Sequence, residues 1–344
     1  MARQKVLITG GAGFIGGNFV QYMVGKYPEY DIFNLDSLTY AGDLTKHQKI
    51  EFKKNYHFIK ADIADYQIIN NLFLENKFDY VIHFAAESHV DRSIKDPGIF
   101  IKTNVLGTQV LLEASRQSGI KKFVHVSTDE VYGELDFDPT TFFTEETPLQ
   151  PNSPYSASKA SSDLLVRAYH ETFALPVNIT RCSNNYGPYH FPEKLIPLTI
   201  SRVLNDQKVP VYGTGENIRD WLHVFDHCAA IDLVMHKGVN GEVYNVGGHN
   251  EKTNLEVVQT IIKTLDKPYD LIEFVEDRLG HDKRYAIDPT KLESLGWRPT
   301  YNFETGIAQT IKWYIESEDW WKQIISGEYQ KYFDSQYYFN KEEK

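Results

Sequence analysis

The fold of this chain is decided by the stretch Gly10-Gly11-Ala12-Gly13-Phe14-Ile15-Gly16. An apolar run at residues 5–9 precedes it and predicts a buried strand, and a helical pattern follows it as far as Val24. Glycines at this spacing let the backbone turn tightly and approach a pyrophosphate, whose charge lies at the N-terminus of the helix. The order of strand, turn and helix predicts a dinucleotide-binding βαβ unit. A turn that serves packing alone is the alternative.

An acidic residue follows the next predicted strand. That strand covers residues 31–35 and ends at Asp36, about twenty residues beyond the glycines, where an acid takes the ribose hydroxyls of a dinucleotide. A carboxylate at this position repels a 2′-phosphate. The sequence therefore predicts NAD rather than NADP as the ligand of the glycine-rich turn.

Strands and helices alternate over the first half of the chain. Apolar runs at residues 56–60, 79–84, 122–126 and 178–181 predict further strands, and a long helical pattern covers 97–118. Such alternation predicts an α/β fold of the Rossmann type. Its doubly wound parallel sheet would bind ligands beyond the carboxyl ends of the strands.

The alternation stops after residue 183, which predicts two domains. We expect residues 1–183 to form an NAD-binding Rossmann domain, to which a segment at about 220–248 returns. The remainder, about 184–219 and 249–344, would form mainly a smaller, discontinuous C-terminal substrate-binding domain and the C-terminal helices.

Local signals in this second part predict two helix starts and a loop. Residues 191–195 are expected to begin one helix, and Asn254 is expected to cap the start of another. A charged loop is expected at residues 276–282, and the segment 134–152 is expected to be a polar surface loop.

The composition excludes several classes of protein. The chain has 344 residues and a formal net charge of -11, whereas a nucleic-acid-binding protein usually presents a basic face. Cys182 and Cys228 are its only cysteines, too few for a disulfide framework, which favours a reducing cytoplasm. No apolar run approaches the length of a membrane span. We therefore expect a cytoplasmic protein with neither nucleic acid nor membrane as a partner.

A tyrosine and a lysine stand four residues apart in Tyr155-Ser156-Ala157-Ser158-Lys159. At this spacing both side chains lie on one face of a helix. A free phenol has a pKa of about 10, and a nearby ammonium lowers it. Such a pair can take a proton from a sugar hydroxyl while a hydride leaves the same carbon. A solvated pair on a helix surface is the alternative.

Two adjacent carboxylates, Asp129 and Glu130, follow Thr128 at the carboxyl end of a predicted strand. They are candidates for acid–base chemistry, and an acidic loop or a helix cap is the alternative. His223 and His227 stand four residues apart, as in a metal pair. Because no third ligand is evident, a structural role is favoured for them, and no metal is predicted.

Several motifs together resemble a known family. The glycine-rich turn and the Tyr155/Lys159 pair are similar to the extended short-chain dehydrogenase/reductases. Within them, four stretches resemble the dTDP-glucose 4,6-dehydratases: Asp36-Ser37-Leu38-Thr39-Tyr40-Ala41-Gly42, Ala85-Ala86-Glu87-Ser88-His89-Val90-Asp91, Thr128-Asp129-Glu130-Val131-Tyr132-Gly133 and Arg181-Cys182-Ser183-Asn184-Asn185-Tyr186-Gly187-Pro188. One departure is Leu279, which stands where the family usually has proline.

The resemblance implies a redox-neutral dehydration of dTDP-glucose, which would serve deoxysugar biosynthesis such as that of dTDP-rhamnose. NAD+ oxidises C4 of the glucosyl ring with Tyr155 as base, Lys159 lowers the pKa of Tyr155, and Thr128 holds the C4 oxygen. Glu130 then removes the C5 proton, and Asp129, if protonated, protonates the departing C6 hydroxyl. The hydride returns to C6, which gives dTDP-4-keto-6-deoxy-glucose.

Three other functions stay open at this point. A nucleotide-sugar 4-epimerase needs Tyr155 and Lys159 but no acid and base for elimination. UDP-glucose differs from dTDP-glucose at the base by only a methyl group, which a pocket discriminates by about 1–3 kcal/mol. A non-catalytic NAD-binding regulatory protein is the third.

The resemblance also implies contacts and an assembly. Besides Tyr155 and Lys159, cofactor contacts fall on Gly10, Gly13, Phe14, Ile15, Gly16, Asp36, Ser37, Leu38, Thr39, Asp62, Ile63, Phe84, Ala85, Ala86, Ser88, Thr103 and Asn185. Substrate contacts fall on Ser88, Thr128, Asn184, Lys194, Leu195, Pro210, Val211, Tyr212, Arg219, Asn254, Asp277, Arg278 and His281. A homodimer would form through a four-helix interface made from residues 97–118 and 155–173 of each subunit.

Overall fold

The structure, a computed structural model, describes residues 3–278 and 280–325, so that Leu279 and the charged end of the chain lie outside it. Its strands are β1 (Gln4–Thr9), β2 (Tyr30–Asp36), β3 (Tyr56–Lys60), β4 (Tyr80–His83), β5 (Lys122–Thr128), β6 (Val177–Cys182), β7 (Asn184–Tyr186), β8 (Val209–Tyr212), β9 (Ile218–His223), β10 (Val243–Val246), β11 (Glu251–Thr253) and β12 (Ile272–Val275).

The helices fill the intervals between these strands. They are α1 (Phe14–Lys26), α2 (Tyr66–Asn76), α3 (Val90–Lys95), α4 (Pro97–Phe100), α5 (Thr108–Ser118), α6 (Pro154–Phe173), α7 (Leu195–Leu204), α8 (Val224–Lys237), α9 (Asn254–Thr264), α10 (Thr290–Ser294), α11 (Phe303–Glu316) and α12 (Glu318–Ile325). A π-helical segment, Ile101–Gly107, joins α4 to α5, so the predicted long helix at 97–118 is one rod with a local bulge.

The main sheet has seven strands in the order β10-β6-β5-β4-β1-β2-β3. Every neighbouring pair in it is parallel. Apolar side chains of α1 and α8, such as Phe19 and Ile231, pack in one core cluster, and those of α2, α5 and α6, such as Phe73, Leu111 and Val166, pack in another. Helices therefore cover both faces of a parallel sheet, which confirms the predicted doubly wound Rossmann fold.

The remaining strands form two small sheets. One has the order β11-β9-β7 and the other pairs β12 with β8. The predicted return segment at about 220–248 is divided between sheets, because β10 joins the main sheet whereas β9 lies in the three-stranded one. The buried side chain of Arg284 links this region to the segment 134–152 by donating to the backbone oxygens of Asp138 and Thr141.

Three local predictions differ from the structure. Residues 191–194 form a turn, and α7 begins only at Leu195, because the residue before Pro192 avoids the helical conformation. Thr253 rather than Asn254 caps α9: its hydroxyl accepts from the backbone N–H of Glu256 in a capping box. In the predicted surface loop 134–152, Phe143 is buried and pairs with Ile287.

Two further features concern the helices and the cysteines. Over the residues that the structure covers, no helix combines the length and the apolar character needed to cross a bilayer. Cys182 and Cys228 are both buried and unpaired.

Candidate active site

One cavity of about 500 Å³ lies at the carboxyl ends of the main-sheet strands. Asp36 at the end of β2, Phe84 after β4, Thr128 at the end of β5 and Ser183 after β6 all line it. A volume of this order holds a small organic ligand. The cavity therefore occupies the place where a doubly wound sheet binds its ligands.

The cavity brings most of the predicted site residues together. Those that line it are Gly10, Gly13, Phe14, Ile15, Gly16, Asp36, Ser37, Thr39, Asp62, Ile63, Phe84, Ala85, Ala86, Ser88, Thr103, Thr128, Glu130, Tyr155, Lys159, Asn184, Asn185, Lys194, Leu195, Pro210, Val211, Tyr212, Arg219, Asn254, Arg278 and His281. Leu38, Asp129 and Asp277 are not on its wall. The backbone N–H of Leu38 donates a hydrogen bond to the carboxylate of Asp36. The carboxylate of Asp277 forms a hydrogen bond of 2.7 Å with Nδ1 of His281.

The glycine-rich turn fits a dinucleotide. Gly10 has a φ of +72°, and a Cβ there would lie 2.5 Å from the backbone nitrogen of Ala85. At Gly16 a Cβ would lie 2.3 Å from the carbonyl oxygen of Gly10. Gly13 caps α1, and no described side chain takes the N–H groups that open this helix. These N–H groups and the tight turn suit the pyrophosphate of NAD, so the residues fit the predicted cofactor.

Asp36 shapes the same turn. Its carboxylate accepts from the backbone N–H of Ala12 at 2.9 Å and from that of Leu38 at 2.8 Å, so it fastens the loop after β2 to the glycine-rich turn. The carboxylate of Asp62, at the next strand end, forms an ion pair with Lys102 at 3.2 Å. It does not cap α2, because Asp65 does so by accepting from Ile68.

Helix α6 presents Tyr155 and Lys159 to the cavity. Ser153 caps the helix in a capping box with Ser156, and Pro154 occupies its first turn. Tyr155 is 9% exposed and Lys159 is 4% exposed, which excludes the alternative of a solvated surface pair. The ammonium of Lys159 donates to the carbonyl oxygen of Val126 at 2.8 Å.

Burial dominates the pKa of Tyr155. Burial, followed by the charge of Glu130, raises this pKa well above its ordinary value, and a hydrogen bond with Thr128 opposes the rise. The pKa of Lys159 is itself lowered by burial to about 8, against the opposing charge of Asp163. Its ammonium donates to Val126, and the lowering of the Tyr155 pKa by Lys159 stays a prediction.

The two neighbouring acids follow β5 in a 3₁₀ turn, Asp129–Tyr132. Thr128 caps this turn: its hydroxyl accepts from the N–H of Glu130 and donates to Asp129 Oδ1, both at 3.3 Å. Asp129 is 1% exposed, and its Oδ2 has no hydrogen-bond partner within the described parts of the chain. Asp129 therefore does not face bulk water, although it stands behind the cavity wall rather than on it.

Different charges surround the two acids. Burial and then the charges of Glu130 and Asp220 raise the pKa of Asp129 well above its ordinary range. Burial also raises the pKa of Glu130, but Lys194, Arg219 and Arg278 oppose that rise. The pKa of both carboxyls is thus raised. Three cations oppose the rise at Glu130, whereas one cation, Arg219, opposes it at Asp129, so the proton is favoured on Asp129 over Glu130.

The cations beside Glu130 are held in place by backbone oxygens. Arg219 donates to the carbonyl oxygens of Ile218 at 2.7 Å and Asp282 at 2.9 Å, and its guanidinium lies 4.3 Å from the centre of the Tyr285 ring. Lys194 donates to the carbonyl oxygen of Ser88 at 3.1 Å. The buried Arg219 and the half-buried Lys194 line the cavity wall and suit an anionic ligand such as a diphosphate.

Sequence reasoning missed Asn104, which lies in the π-helical segment Ile101–Gly107. Its amide accepts from the N–H of Glu87 at 2.8 Å and donates to the carbonyl of Glu87 at 2.9 Å and to the Ser158 hydroxyl at 2.8 Å. It therefore ties the loop after β4 to the helix that carries Tyr155. An asparagine inside a helical pattern was the available signal, because this residue favours caps and turns.

The histidine pair has a structural role. The Nδ1 atom of His223 accepts from the N–H of Phe225, and its ring stacks on Tyr301 with centroids 4.0 Å apart. His227 shares a hydrogen bond with Asn185 at 2.9 Å. Throughout residues 3–278 and 280–325, no group of three or more His, Cys, Asp or Glu side chains could hold a metal ion.

Comparison with known proteins identifies the family. A family model described as GDP-mannose 4,6 dehydratase matches residues 7–310. A dTDP-glucose 4,6-dehydratase from Xanthomonas campestris pv. campestris is 53% identical over 342 residues, which span 94% of this chain and 96% of the relative.

Solved structures agree with this match. A dTDP-glucose 4,6-dehydratase from Streptomyces venezuelae with NAD and dTDP bound has a TM-score of 0.90 and 46% identity, and the alignment covers 93% of this chain and 100% of that one. A UDP-glucose 4-epimerase from Thermus thermophilus in complex with NAD has a TM-score of 0.84 but only 30% identity, with 91% and 100% covered. The chain belongs to the dTDP-glucose 4,6-dehydratase family.

Proposed function

We propose that this chain is an NAD-dependent lyase that converts dTDP-glucose to dTDP-4-keto-6-deoxy-glucose and water. The observation that carries the proposal is the pair Asp129 and Glu130, which follows β5 beside the buried Tyr155 and Lys159, with the pKa of Asp129 raised well above its ordinary range. Family membership supports the same reaction, because the relatives that share about half of the sequence are named for it.

The cofactor is NAD, held by the glycine-rich turn, by the Asp36 loop and by the residues that follow β3 and β4. When bound, it supplies a hydride acceptor for C4, a hydride donor for C6 and a positive charge in its nicotinamide ring. The chain itself orients this group and protects it from water, because the cavity is built from buried strand ends.

Tyr155 takes the proton of the C4 hydroxyl. Because burial raises the pKa of this phenol, it becomes a base only when positive charge is supplied to the site. Lys159, whose pKa is about 8, is mostly protonated at neutral pH and provides part of that charge. Thr128 bonds the C4 oxygen and keeps the two reacting oxygen atoms together.

Elimination of water across C5 and C6 needs one base and one acid. Glu130 removes the C5 proton, which the C4 ketone makes acidic, and would return a proton to C5 once C6 has been reduced. Asp129 delivers a proton to the C6 oxygen as it leaves as water. The raised pKa of Asp129 keeps that proton available near neutral pH. An epimerase has no use for this acid, which is why the pair favours a dehydratase.

The nucleotide is held by the second part of the chain. Arg219, Lys194 and Arg278 bind the diphosphate, since cations match its charge. The sugar and base meet Ser88, Asn184, Leu195, Pro210, Val211, Tyr212, Asn254, Asp277 and His281. We assign these contacts to a substrate-binding domain made mainly from residues 184–219 and 249–344, and the cofactor to residues 1–183 with the return segment.

The working unit is a homodimer in the cytoplasm. Support for the dimer comes from apolar side chains that stay exposed on the two predicted interface helices, among them Leu106 at 47%, Leu164 at 58% and Phe173 at 50%. Exposed apolar surface of this kind favours association. The two unpaired cysteines are compatible with a reducing compartment.

A turnover assay tests the proposal. The chain is incubated with excess dTDP-glucose and a small amount of NAD, in parallel with UDP-glucose. We expect a product that has lost one water, absorbs in alkali as a 4-keto sugar and exceeds the NAD in amount, with no accumulation of NADH. Absence of such a product from every nucleoside-diphosphate glucose would overturn the assignment.

The same assay separates the alternative. A 4-epimerase would yield the C4 epimer without loss of water, and it would keep its turnover in Glu130→Gln. A dehydratase loses its turnover in this variant but keeps it in Glu146→Gln, the same change at an exposed position of the segment 134–152. The ratio of turnover with dTDP-glucose to that with UDP-glucose decides the base.

A further inference from the structure

Lys46 is a buried cation that the reaction above does not use. It lies in a 3₁₀ turn, Thr45–His47, and is 3% exposed. Its ammonium donates to the carbonyl oxygens of Ala12 and Gly13, each at 2.8 Å, and so grips the glycine-rich turn directly. Lys46 also lines the cavity that this turn borders.

The charge of Lys46 is not neutralised by a direct ion pair. No carboxylate oxygen of the described residues lies within 4.0 Å of its nitrogen. Two carboxylates, Asp36 and Asp43, face it from a distance. Both are engaged elsewhere, Asp36 by the N–H groups of Ala12 and Leu38, and Asp43 by Thr45 and by the indole N–H of Trp320.

An ammonium buried in this way is costly unless an anion arrives. It carries three N–H donors, of which the carbonyls of Ala12 and Gly13 satisfy two. Taking an unpaired charge out of water is expensive, and buried charges are usually paired. The anion expected at this turn is the diphosphate of the dinucleotide, which the N-terminus of α1 already favours.

We propose that Lys46 is a further binding determinant for the diphosphate of the cofactor, acting both by its charge and by holding the carbonyls of Ala12 and Gly13. This rests on the proposed function, because it takes NAD as the ligand of the turn. Lys46 is a positioning residue: it strengthens diphosphate binding and takes no part in the chemistry at the sugar.

Two substitutions of Lys46 distinguish binding of the diphosphate from support of the loop. A Cβ at Gly17 would lie 2.5 Å from the Cδ atom of Lys46, so the aliphatic part of this side chain packs against α1. Lys46→Met keeps that aliphatic part and removes the charge, whereas Lys46→Arg keeps the charge. A merely structural lysine would affect every ligand of the site alike.

The pH dependence gives a second readout. Burial lowers the pKa of Lys46 to about 8, against the charges of Asp43 and Asp36. The other titratable groups that face it are His47, whose pKa burial lowers to about 4, and Tyr189, whose pKa burial raises. Neither of these two changes its charge between pH 7 and about 9. Lys159 lines the same cavity with a pKa of about 8, so only the part of the loss of ADP affinity in that interval that Lys46→Met abolishes reports on Lys46.

Calorimetric titration of the full chain, stripped of bound nucleotide, tests this with NAD, ADP and adenosine. We expect Lys46→Met to weaken NAD and ADP by about tenfold or more and adenosine by less than about twofold, and Lys46→Arg to restore part of the loss. In the wild type, the affinity for ADP should fall between pH 7 and 9 while that for adenosine stays level.

Four results would overturn the proposal. Unchanged affinity of Lys46→Met for NAD and ADP shows that the charge of Lys46 does not contribute to binding. Equal losses of affinity for adenosine and for ADP show that Lys46 has a structural role. A fall in ADP affinity between pH 7 and 9 that is as large in Lys46→Met as in the wild type assigns the titration to another group. A wild-type chain that binds no NAD at all removes the proposed function itself, and this inference with it.

Discussion

Two buried aspartates occupy opposite situations in this molecule. Asp232 lies on α8 and Asp129 lies in the turn after β5, and each is less than 5% exposed. The carboxylate of Asp232 binds Tyr22 and Lys26 of α1 and Tyr27, which follows α1. It also binds His236 of its own helix, α8. Asp129 accepts a single hydrogen bond, from Thr128, and no described residue donates a hydrogen bond to its Oδ2.

The pKa values of the two groups reflect this difference. Burial alone would raise the pKa of Asp232, but the hydrogen bonds from its neighbours outweigh burial and lower it to about 2. Burial raises the pKa of Asp129, and the negative charge of Glu130 adds to the rise. A buried carboxylate that accepts several hydrogen bonds stays charged and joins helices. A buried carboxyl without such donors retains a proton that it can give to a substrate.

The largest expected effect follows from removing the proton of Asp129. Asp129→Asn should lower kcat by about 10²–10⁴, because an amide cannot act as the general acid. The free energy of unfolding of this variant should stay level or rise. A neutral amide replaces a carboxyl that must be protonated to be buried in the fold. Turnover of dTDP-glucose and urea unfolding measure the two quantities. A large loss of stability with normal kcat would reverse the roles of the two aspartates.

The matched substitution at Asp232 should give the opposite pattern. Asp232→Asn removes the negative charge that holds α1 to α8, so the free energy of unfolding should fall by about 2 kcal/mol. The value of kcat should stay within about twofold of the wild type, because Asp232 does not line the cavity. Urea unfolding at neutral pH and the same turnover assay check this. A variant as stable as the wild type would show that the network is redundant.

The sequence is sufficient to predict the main sheet. A strand such as β1 carries an unbroken apolar run at residues 6–8 ahead of a turn, and that pattern survives any tertiary environment because both faces of the sheet are buried. The sequence pattern did not indicate that β9 is a strand. Its polar residues Arg219 and Asp220 are buried in a small sheet and do not alternate with apolar ones. The start of α9 was misplaced by one residue, since Thr253 and Asn254 are both good caps.

The candidate site was predicted as a set of residues but not as an arrangement. Motif and spacing bring Tyr155, Lys159 and Glu130 to one cavity, because strand ends and helix faces follow from secondary structure. The orientation of Asp129 and the bond between Lys159 and Val126 depend on tertiary packing, so neither follows from the motifs. Lys46 carried no signal, because only the folded loop shows that its ammonium is buried.

The dependence of stability on pH sharpens the comparison further. The lowered pKa of Asp232 gives stability that is present above the unfolded value of about 3.9 and is lost as the pH falls toward 2. The stability deficit of Asp232→Asn should therefore shrink as the pH falls from about 5 to 3. The raised pKa of Asp129 acts in the other direction: it favours the fold at low pH, and this contribution is lost as the pH rises.

Urea unfolding of the two variants between pH 3 and about 7 measures this contrast. The free energy of unfolding of the wild type should exceed that of Asp232→Asn by an amount that grows with pH. The free energy of unfolding of Asp129→Asn should instead increase relative to the wild type as the pH rises above about 4. Parallel pH curves for both variants would mean that the two carboxyls have similar pKa values in the fold, and the distinction between them would be lost.

The smallest expected effect tests whether the bonds to Asp232 are separable. The hydroxyl of Tyr27 donates to Asp232 at 2.9 Å, and Tyr27→Phe removes this bond while the ring keeps its stacking on Tyr30 at 4.7 Å. Because Tyr22 and Lys26 still hold the carboxylate, the free energy of unfolding should fall by only about 1 kcal/mol, and kcat should not change. Tyr66→Phe, at a tyrosine that is 51% exposed, is the matched control and should leave both quantities unchanged. A loss from Tyr27→Phe as large as that from Asp232→Asn would show that the donors act as one cooperative unit.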